Sequence, residues 1–489
     1  MSSSPSLSPL YAQIAQRMAR MIDEQVFKPG QRLPSVREVA AQNGVSISTA
    51  VQGLRWLEER QLVVARPKSG YFVSPRRRGT PLPAVSSPPK YSMAIERQTR
   101  CDLLHAFTDQ ESVVSFGAYA PEDQDLFDQE KIRIALARAT RVHRQSLVEY
   151  NESCGTPALR AAVARRALHL GCQLQPDNII ITASCTHAVG LCLRAVTKPG
   201  DVVALESPTH FGFLDLLEAL DLRALEIPTH PTGGMSLPAL QLALDTQPVK
   251  VVLSVPTLSN PLGAVMRLAD KRALVQMLAA RQIALIEDVV FNDLLASDER
   301  RKAAKAFDTD GWVMVCGAFC KTVAPGLRMG WVEAGRWKQT VSRLKRVQGV
   351  PTIKVLEEAL ADLLTQSGYE AQMRKLSAHT KTRVAQARVL IGSTFPKGTR
   401  VSAPQGGYTL WVELPGKIDA LTLFRQCKAE GIVFGPGALF SASDRFDHCM
   451  RLSFAGPWTD LERKALARIG ELARALFAGQ AHSGELPGA

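Results

Sequence analysis

Apolar side chains near the N-terminus recur at the spacing of amphipathic helices. In residues 11–24 they fall at every third or fourth position, which predicts one helix. Ser35 with Glu38 three residues later is the pattern of a capping box, and it predicts the start of a second helix. Ser46 can cap a third helix. Residues 62–73 then hold two short apolar runs around a basic Pro/Gly turn, which predicts a β-hairpin.

Beyond about residue 92, short apolar runs alternate with helical segments. Five of the runs predict strands: Asp201–Leu205, Val249–Pro256, Ala284–Asp288, Val313–Phe319 and Met329–Ala334. The alternation predicts an α/β domain with a largely parallel central sheet. From about Leu360 to Ala478 the pattern predicts a smaller α+β subdomain that contains the strand Tyr408–Leu414. Residues 479–489 are expected to form a disordered tail.

Residues 74–91 separate these two regions and are rich in proline and arginine. They hold five prolines and the run Arg76–Arg78, which predicts a stiff, basic linker between a domain at 1–73 and one at 92–478. The whole chain of 489 residues has a formal net charge of +13. Residues 1–80 hold twelve Lys or Arg and five Asp or Glu, so +7 of that charge lies there. This concentration predicts an anionic partner for the N-terminal region.

Composition narrows the class of protein further. A hydrophobic content of 46% with 21% charged residues is ordinary for a globular protein. No apolar run reaches the length of a membrane span, and the first residues lack the pattern of a secretion signal, so we expect a cytoplasmic protein. Nine cysteines are scattered without the paired spacing of a metal site, and we expect reduced thiols and no metal.

Two helices, a turn, a third helix and a hairpin form the architecture of a winged-helix DNA reader. Residues 10–73 resemble the winged-helix domain of the GntR family of bacterial transcription regulators. The resemblance is carried by Leu33-Pro34-Ser35 with Arg37, by Val45-Ser46 with Thr49, and by the wing Arg66–Val73. It implies contacts with phosphates or base edges from Arg37, Ser46, Ser48 and Thr49. It also implies contacts with the adjacent backbone or minor groove from Arg66, Lys68 and Gly70.

Two positions depart from that family's pattern. Ile47 and Val51 stand where many GntR proteins carry arginine, so we expect base readout to rest on fewer charged side chains. Ile47 could instead meet a thymine methyl group. The alternative interpretation of this region is a small three-helix bundle with a solvated basic face.

The stretch Val313–Trp331 carries the most informative lysine of the chain. It predicts a buried strand, a turn of small residues with Lys321, a loop with Arg328 and a second strand. An amine among apolar neighbours is partly desolvated, which lowers its pKa and favours the free base. Such an amine suits Schiff-base chemistry with pyridoxal phosphate. The alternative is a solvated loop lysine, which is the usual case when no partner residues accompany it.

Candidate partners of Lys321 follow other predicted strands. Ser184, Cys185 and Thr186 begin a helix and can hold a phosphate on backbone N–H groups, with Arg328 as a bidentate partner. Asp288 ends a buried strand, where a carboxylate can keep a pyridine nitrogen protonated. Asn260 can donate to the phenolic oxygen of the cofactor, and His210 can stack on its ring. Taken singly, these residues are better explained in another way: Asp288 and Ser184 as helix caps, Asn260 as part of a turn and His210 as a surface residue.

Their shared order resembles the aspartate aminotransferase fold, fold type I of the pyridoxal phosphate enzymes, over about residues 105–478. The resemblance implies that Tyr150 reaches the phosphate across a dimer interface and that Arg451 clamps a substrate carboxylate. It extends to Gly406-Gly407. Phe291 stands where the family usually has a tyrosine, and Ala318 stands where it often has a phosphate-binding serine. Without the tyrosine hydroxyl, efficient transamination is less expected.

A GntR-like module, a linker and an aminotransferase-like domain in one chain resemble the MocR subfamily of regulators. The resemblance implies a homodimer that holds pyridoxal phosphate on Lys321 and binds double-stranded DNA through two winged helices. It also implies an amino acid or amine that alters DNA affinity. One alternative is an active aminotransferase with an appended DNA-binding domain. Another is a DNA-binding protein whose pocket holds no pyridoxal phosphate.

Overall fold

A computed structural model describes most of the chain, in two compact units that divide between Gly79 and Thr80. The described residues are 10–23, 26–28, 30–59, 62–66, 69–73, 80–89, 91–95, 113–117, 126–151, 154–295, 301–349, 351–366 and 368–483. Within these ranges, no helix is long and apolar enough to cross a membrane. Eight of the nine cysteines lie in them, and all eight are free thiols.

The first unit consists of three helices and a hairpin, as the sequence predicts. The elements are α1 (Leu10–Asp23), α2 (Val36–Asn43), α3 (Ile47–Glu59), β1 (Val63–Arg66) and β2 (Gly70–Val73). The hairpin is antiparallel, with Val63 opposite Val73. The predicted capping box is present, because Glu38 N donates to Ser35 Oγ at 3.3 Å and Ser35 N donates to Glu38 Oε2 at 2.6 Å. Apolar side chains from all three helices and the hairpin form one buried core.

The second unit is built on an eight-stranded sheet in the order β4-β11-β10-β9-β8-β5-β6-β7. Its strands are β4 (Ile179–Thr182), β5 (Val202–Ser207), β6 (Arg223–His230), β7 (Gly234–Met235), β8 (Val249–Ser254), β9 (Ala284–Asp288), β10 (Val313–Ala318) and β11 (Gly330–Glu333). The pairs from β10 through β6 are parallel, whereas β11 and β7 run antiparallel to their neighbours. Because the parallel strands end at one edge, residues that follow them meet there.

Helices cover this sheet and position the residues between its strands. They are α4 (Gln129–Val142), α5 (Pro157–Ala167), α6 (Cys185–Val196), α7 (Phe211–Ala219), α8 (Leu237–Thr246), α9 (Leu268–Ala280), α10 (Lys338–Val347) and α11 (Lys354–Thr365). The buried strands read as continuous apolar runs, since both faces of the sheet are covered.

A four-stranded antiparallel sheet forms the smaller part of the unit, in the order β12-β13-β16-β15. Its strands are β12 (Arg400–Val401), β13 (Thr409–Glu413), β15 (Gly435–Pro436) and β16 (Cys449–Ser453), and β3 (Val114–Ser115) pairs separately with β14 (Ile432–Val433). The accompanying helices are α12 (Tyr369–Thr394), α13 (Ala420–Ala429) and α14 (Asp460–Ser483).

Two predicted boundaries of the smaller part differ from the structure. Leu360 packs in a core with Ile179 and Val315 of the large sheet, so the smaller part does not begin there. Helix α12 joins the two cores instead, with Leu376 in one and Ala387 in the other. Helix α14 continues to Ser483, five residues into the predicted tail, whereas its contacts with the core of the small sheet end at Leu476. Residues 484–489 lie outside the described residues.

Residues 80–89 and 91–95, here called the strap, are extended and hydrogen-bonded to the second unit. Val401 N donates to Pro81 O at 2.8 Å, and Ala84 N donates to Glu413 Oε2 at 2.8 Å. The sequence predicts a linker over 74–91, but from Thr80 onward the backbone finds partners on the small sheet. Residues 74–79 lie outside the described residues.

Candidate functional site

Lys321 lies in a tight turn directly after β10. Val323 N donates to Phe319 O at 2.8 Å, and Phe319 N donates to Met329 O at 3.0 Å, so the turn is held at its base. Burial lowers the pKa of the Lys321 ammonium below its usual range, as the sequence predicts. The charges of Arg451 and Arg328 act in the same direction, whereas Cys320 and Asp288 oppose it. The amine is therefore released from its proton more readily than a surface lysine.

Asp288 lies beside this turn, because β9 and β10 are parallel neighbours and Asp288 is opposite Cys316. Burial raises the pKa of the Asp288 carboxyl to about 6. Val290 N donates to Asp288 Oδ1 at 2.8 Å, and the thiol of Cys185 also donates to this carboxylate, so both lower the pKa in part. Asp288 is thus a buried acid that is ionised at neutral pH and interacts with the charge of Lys321.

The turn between β4 and α6 places backbone N–H groups at a helix N-terminus. Ser184 is the N-cap, and its Oγ accepts from His187 N at 3.0 Å. The turn packs tightly on β11, since a Cβ at Gly330 would lie 2.7 Å from Ser184 O and 2.9 Å from Cys185 N. The side chain of Cys185 is buried toward Asp288, while Thr186 is exposed. A phosphate contact from Cys185 would therefore use its backbone N–H.

His210 and Asn260 are brought together by the turns after β5 and β8. Asn260 Nδ2 donates to His210 Nδ1 at 3.4 Å. Burial lowers the pKa of His210 to about 3, with smaller contributions from Arg451 and Lys321, so the imidazole is neutral. Among the described residues, no donor reaches the buried Asn260 Oδ1. An amide oxygen in this position is ready to accept a hydrogen bond from a ligand.

Arg451 belongs to the other sheet and faces the same site. It lies on β16 opposite Trp411 of β13 and is only 2% exposed. Its Nη2 donates to Gly117 O at 2.7 Å, and its guanidinium carbon lies 5.7 and 5.3 Å from the ring centroids of Phe211 and Phe440. A buried guanidinium held in this way can bind a carboxylate with two parallel hydrogen bonds.

Arg328 and Tyr150 are exposed, unlike the buried Asp288 and Arg451. Arg328 has a left-handed backbone (φ 49°, ψ 48°) and an exposed side chain, although its charge still affects Lys321. Tyr150 is 96% exposed. Ala318 ends β10 as a buried residue, and Phe291 packs edge-on against Tyr408 with ring centroids 5.7 Å apart. The ring of Tyr408 thus packs against Phe291, whose side chain has no hydroxyl group.

Several residues near the site escape local sequence analysis. The aromatic neighbours of Arg451 and the carbonyl of Gly117 are contributed by segments up to 334 residues away in the chain. Glu206 on β5 is buried, accepts from Ser254 Oγ at 2.6 Å, and has a pKa raised to about 7 by burial. Its only signal in the sequence is an acid inside an apolar run.

The first unit presents the residues predicted to contact DNA on two helices and the wing. Arg37 is exposed on the second position of α2, and Ile47 at the start of α3 is 56% exposed. Ser46 Oγ lies 2.8 Å from Ser48 Oγ and 2.8 Å from Thr49 Oγ1, so these hydroxyls already bond to one another. Gly70 begins β2 with a φ of +95°. Lys68 and the side chain of Arg66 lie outside the described residues.

Two family models match the chain and divide it as the structure does. The model of bacterial regulatory proteins of the gntR family matches residues 10–73. The model of aminotransferase class I and II matches residues 111–469. The HTH-type transcriptional regulator YjiR of Escherichia coli is 34% identical over 94% of this chain and 98% of its own length. The chain belongs to the MocR subfamily of GntR regulators.

Other relatives of this MocR regulator fall into two groups. The HTH-type transcriptional regulator TauR of Rhodobacter capsulatus is 26% identical over 87% of this chain and 89% of its own length. Among solved structures, the α-aminoadipate aminotransferase LysN of Thermus thermophilus is 25% identical, with a TM-score of 0.71. The match covers 79% of this chain and 96% of LysN. The second unit therefore has the fold of an aminotransferase.

The aminotransferase class I and II fold implies pyridoxal 5′-phosphate as the cofactor of this MocR regulator, and the site fits it. Lys321 supplies an amine of lowered pKa, and Asp288 supplies a buried carboxylate. Asn260 Nδ2 has a second N–H group besides the one that it directs to His210 Nδ1, and that group can donate to the phenolic oxygen of the cofactor. The tightly packed turn at Ser184 supplies backbone N–H groups at a helix N-terminus, which favour a phosphate.

Proposed function

We propose that this MocR regulator binds pyridoxal phosphate at Lys321 and changes its DNA affinity when an amino acid or amine occupies the same site. One observation carries the proposal. Lys321 and Asp288 of the large sheet and Arg451 of the small sheet meet in one buried cluster, within a chain that also has a winged helix. These groups match an aldehyde cofactor, its ring nitrogen and a ligand carboxylate.

Each residue has a defined task in this proposal. Pyridoxal phosphate, when bound, supplies an aldehyde that reacts with amines and a ring that withdraws electrons. Lys321 would hold the cofactor through its amine, and its lowered pKa reduces the cost of losing the proton that must leave before the nitrogen can bond to the aldehyde carbon. Asp288 would hold a proton on the ring nitrogen, and His210 would lie against the cofactor as a neutral imidazole that adds no charge. Arg451 binds the ligand carboxylate.

The strap favours sensing over catalysis as the main role of the second unit. It begins at the boundary with the DNA-binding unit and is hydrogen-bonded to both sheets. Arg445 Nη1 donates to Ser87 O at 3.0 Å on the side of the small sheet. Arg223 on β6 donates to Ser92 O at 2.6 Å on the side of the large sheet. A ligand that joins Arg451 to Lys321 bridges the same two sheets.

We also propose that the protein acts in the cytoplasm as a homodimer. The side chains of Leu147, Val148 and Ile353 are exposed near the exposed Tyr150, and Asn151 Nδ2 donates to Thr352 O at 2.9 Å, which brings these segments together. A second copy that covers this apolar face would bring Tyr150 to its phosphate site. Two winged helices in one dimer then predict two half-sites in the DNA.

A titration of one set of samples tests the sensor proposal. DNA that the full-length protein selects from a random pool serves as the probe. Amino acids and amines are added while visible absorption and DNA affinity are measured together. We expect at least one ligand to change both signals at the same concentration. Rapid multiple-turnover conversion of an amino acid to its keto acid, with unchanged DNA affinity, would contradict sensing.

That contrary outcome would favour the second candidate, an active aminotransferase with an appended DNA-binding unit. The complete set of Lys321, Asp288 and Arg451 supports it, as does the 27% identity to 2-aminoadipate transaminase of Thermus thermophilus over 78% of this chain. Phe291 weighs against efficient turnover, because it removes a hydroxyl that enzymes of this fold usually have near the amine.

A further inference from the structure

Residues 149–151 and 154–156, here called the Tyr150 segment, present Tyr150 outward from a firmly held base. Tyr150 is 96% exposed, yet its neighbours on both sides are bonded. Glu149 Oε2 pairs with Lys354 Nζ at 2.9 Å, and Asn151 Nδ2 donates to Thr352 O at 2.9 Å. Residues 152 and 153 lie outside the described residues. Tyr150 adjoins the exposed Leu147 and Val148, and a contiguous exposed apolar patch of this kind is typical of a contact with another molecule.

Glu357, the fourth residue of α11, accepts hydrogen bonds from both ends of this segment. It is fully buried, at 0% exposure. Its Oε1 accepts from Asn151 Nδ2 at 2.6 Å and from the hydroxyl of Thr352, and its Oε2 accepts from Thr156 N at 2.5 Å. A buried carboxylate is costly unless donors surround it, so these three donors and their segment are fixed relative to Glu357.

The same carboxylate also fixes the segment against β4. Gly155 has a φ of +92°, and a Cβ there would lie 2.7 Å from Ile181 Cβ and 2.9 Å from Glu357 Oε2. The backbone therefore passes between β4 and Glu357 with no room for a side chain. Ile181 N donates to Cys154 O at 2.9 Å. Strand β4 leads directly to the turn at Ser184, so Glu357 sets the position of Tyr150 relative to the phosphate turn of its own copy.

We propose that Glu357 is a positioning residue for phosphate binding between two copies of the chain. It holds Asn151 and Thr156 in place and thereby presents Tyr150 to the phosphate site of the second copy. In a twofold dimer with a fixed interface, Tyr150 has a fixed position relative to the turn at Ser184 in its own copy. It then also has a fixed position relative to the same turn in the second copy. The inference rests on the proposed function, which gives Tyr150 that role in the dimer.

A double-mutant cycle tests this role in the full-length protein. The dissociation constant of pyridoxal phosphate is measured for the wild type, Tyr150→Phe, Glu357→Gln and the double variant. Glutamine keeps the size of the side chain but turns an N–H₂ group toward a donor. We expect the dissociation constant to rise about tenfold in each single variant, which is the size expected for a lost hydrogen bond to a charged group. The double variant should show no further rise.

Glu358→Gln is the matched control, because Glu358 is the next residue on α11 and faces only His143 at 3.9 Å among the ion pairs of the described residues. It should retain the wild-type constant. The inference would be overturned if Glu357→Gln retained the wild-type dissociation constant. It would also be overturned if Glu357→Gln raised that constant as much in the Tyr150→Phe background as in the wild type. If Glu357→Gln fails to fold, Asn151→Ala removes one donor and should raise the constant a few-fold, and an unchanged value there also overturns it.

An unchanged dissociation constant of pyridoxal phosphate in Tyr150→Phe would have a different consequence. It would overturn both this inference and the role of Tyr150 across the dimer. The attachment of pyridoxal phosphate to Lys321, which is tested by replacing that lysine, would still stand. The two failures are therefore distinguishable.

Discussion

Lys321, Asp288 and His210 are buried ionisable side chains whose surroundings move their pKa values in ways that suit one ligand. Burial lowers the pKa of the lysine and raises that of the aspartate to about 6, while it lowers the pKa of the histidine to about 3. The cluster therefore combines an amine that loses its proton more readily than a surface lysine, a buried carboxyl group and a neutral imidazole. Groups with such shifted values are typical of functional sites.

Replacing Lys321 tests the attachment of the cofactor. Lys321→Ala removes the amine that is expected to bond to pyridoxal phosphate, so the visible absorption of the bound cofactor and the adduct trapped by borohydride should both disappear. Lys302→Ala is a suitable control, since Lys302 is an exposed lysine of the same unit. An adduct of wild-type yield in Lys321→Ala would show that another lysine reacts.

The variant Asp288→Asn tests whether burial raises the pKa of the Asp288 carboxyl group, through the pH dependence of stability. The pKa of Asp288 is raised from 3.8 to about 6 in the folded protein, so the folded state binds the proton more tightly than the unfolded state. Stability is then lost as pH rises from about 4 to about 6, by an amount on the order of 3 kcal/mol, and the asparagine variant lacks this loss. Thermal midpoints of the cofactor-free proteins should diverge in favour of Asp288→Asn across that window. Parallel profiles would contradict the raised pKa.

Local signals predict the elements well, and contacts between distant segments explain what they miss. The capping box at Ser35, the strand that ends at Asp288 and the turn that carries Lys321 each depend on neighbouring residues, and the structure has all three. The neighbours of Arg451 depend on packing between remote segments, so no local pattern indicates them. The bonded hydroxyls of Ser46 and Thr49 likewise appear only when the side chains are placed.

The salt dependence of DNA binding tests the role of Arg37 in the second helix of the winged unit. Arg37 is exposed at the start of α2, where a guanidinium is expected to lie on phosphate rather than on a base. Arg37→Ala should weaken binding to all sequences and reduce the slope of log K against log salt by about one unit for each copy that contacts DNA. Arg17→Ala, another exposed arginine on α1, is the control. An unchanged slope with a changed sequence preference would instead assign Arg37 to base readout.

At the scale of the whole molecule, the strap joins the small and the large sheet of the second unit, and it begins where the chain enters that unit. Arg445 reaches Ser87 of the strap, and its neighbour Ser443 lies 3.0 Å from Ser441, which donates to the buried Glu226 on β6. The small sheet and the large sheet are therefore joined at the same place where the strap is held. We therefore expect a ligand that bridges the two sheets to act on these contacts.

Two synthetic ligands that differ only in a carboxylate test this connection. N-(5′-phosphopyridoxyl)-L-alanine can reach Arg451, whereas the matching ethylamine conjugate cannot. We expect the affinity of the wild type for selected DNA to differ at least tenfold between the two complexes, which requires about 1.4 kcal/mol of coupling. Arg445→Ala removes the bond to Ser87 and should reduce that difference, while Arg463→Ala, whose ion pair with Asp460 is local to α14, should preserve it. If Arg445→Ala binds both ligands and keeps the full difference, the coupling does not pass through the bond between Arg445 and Ser87.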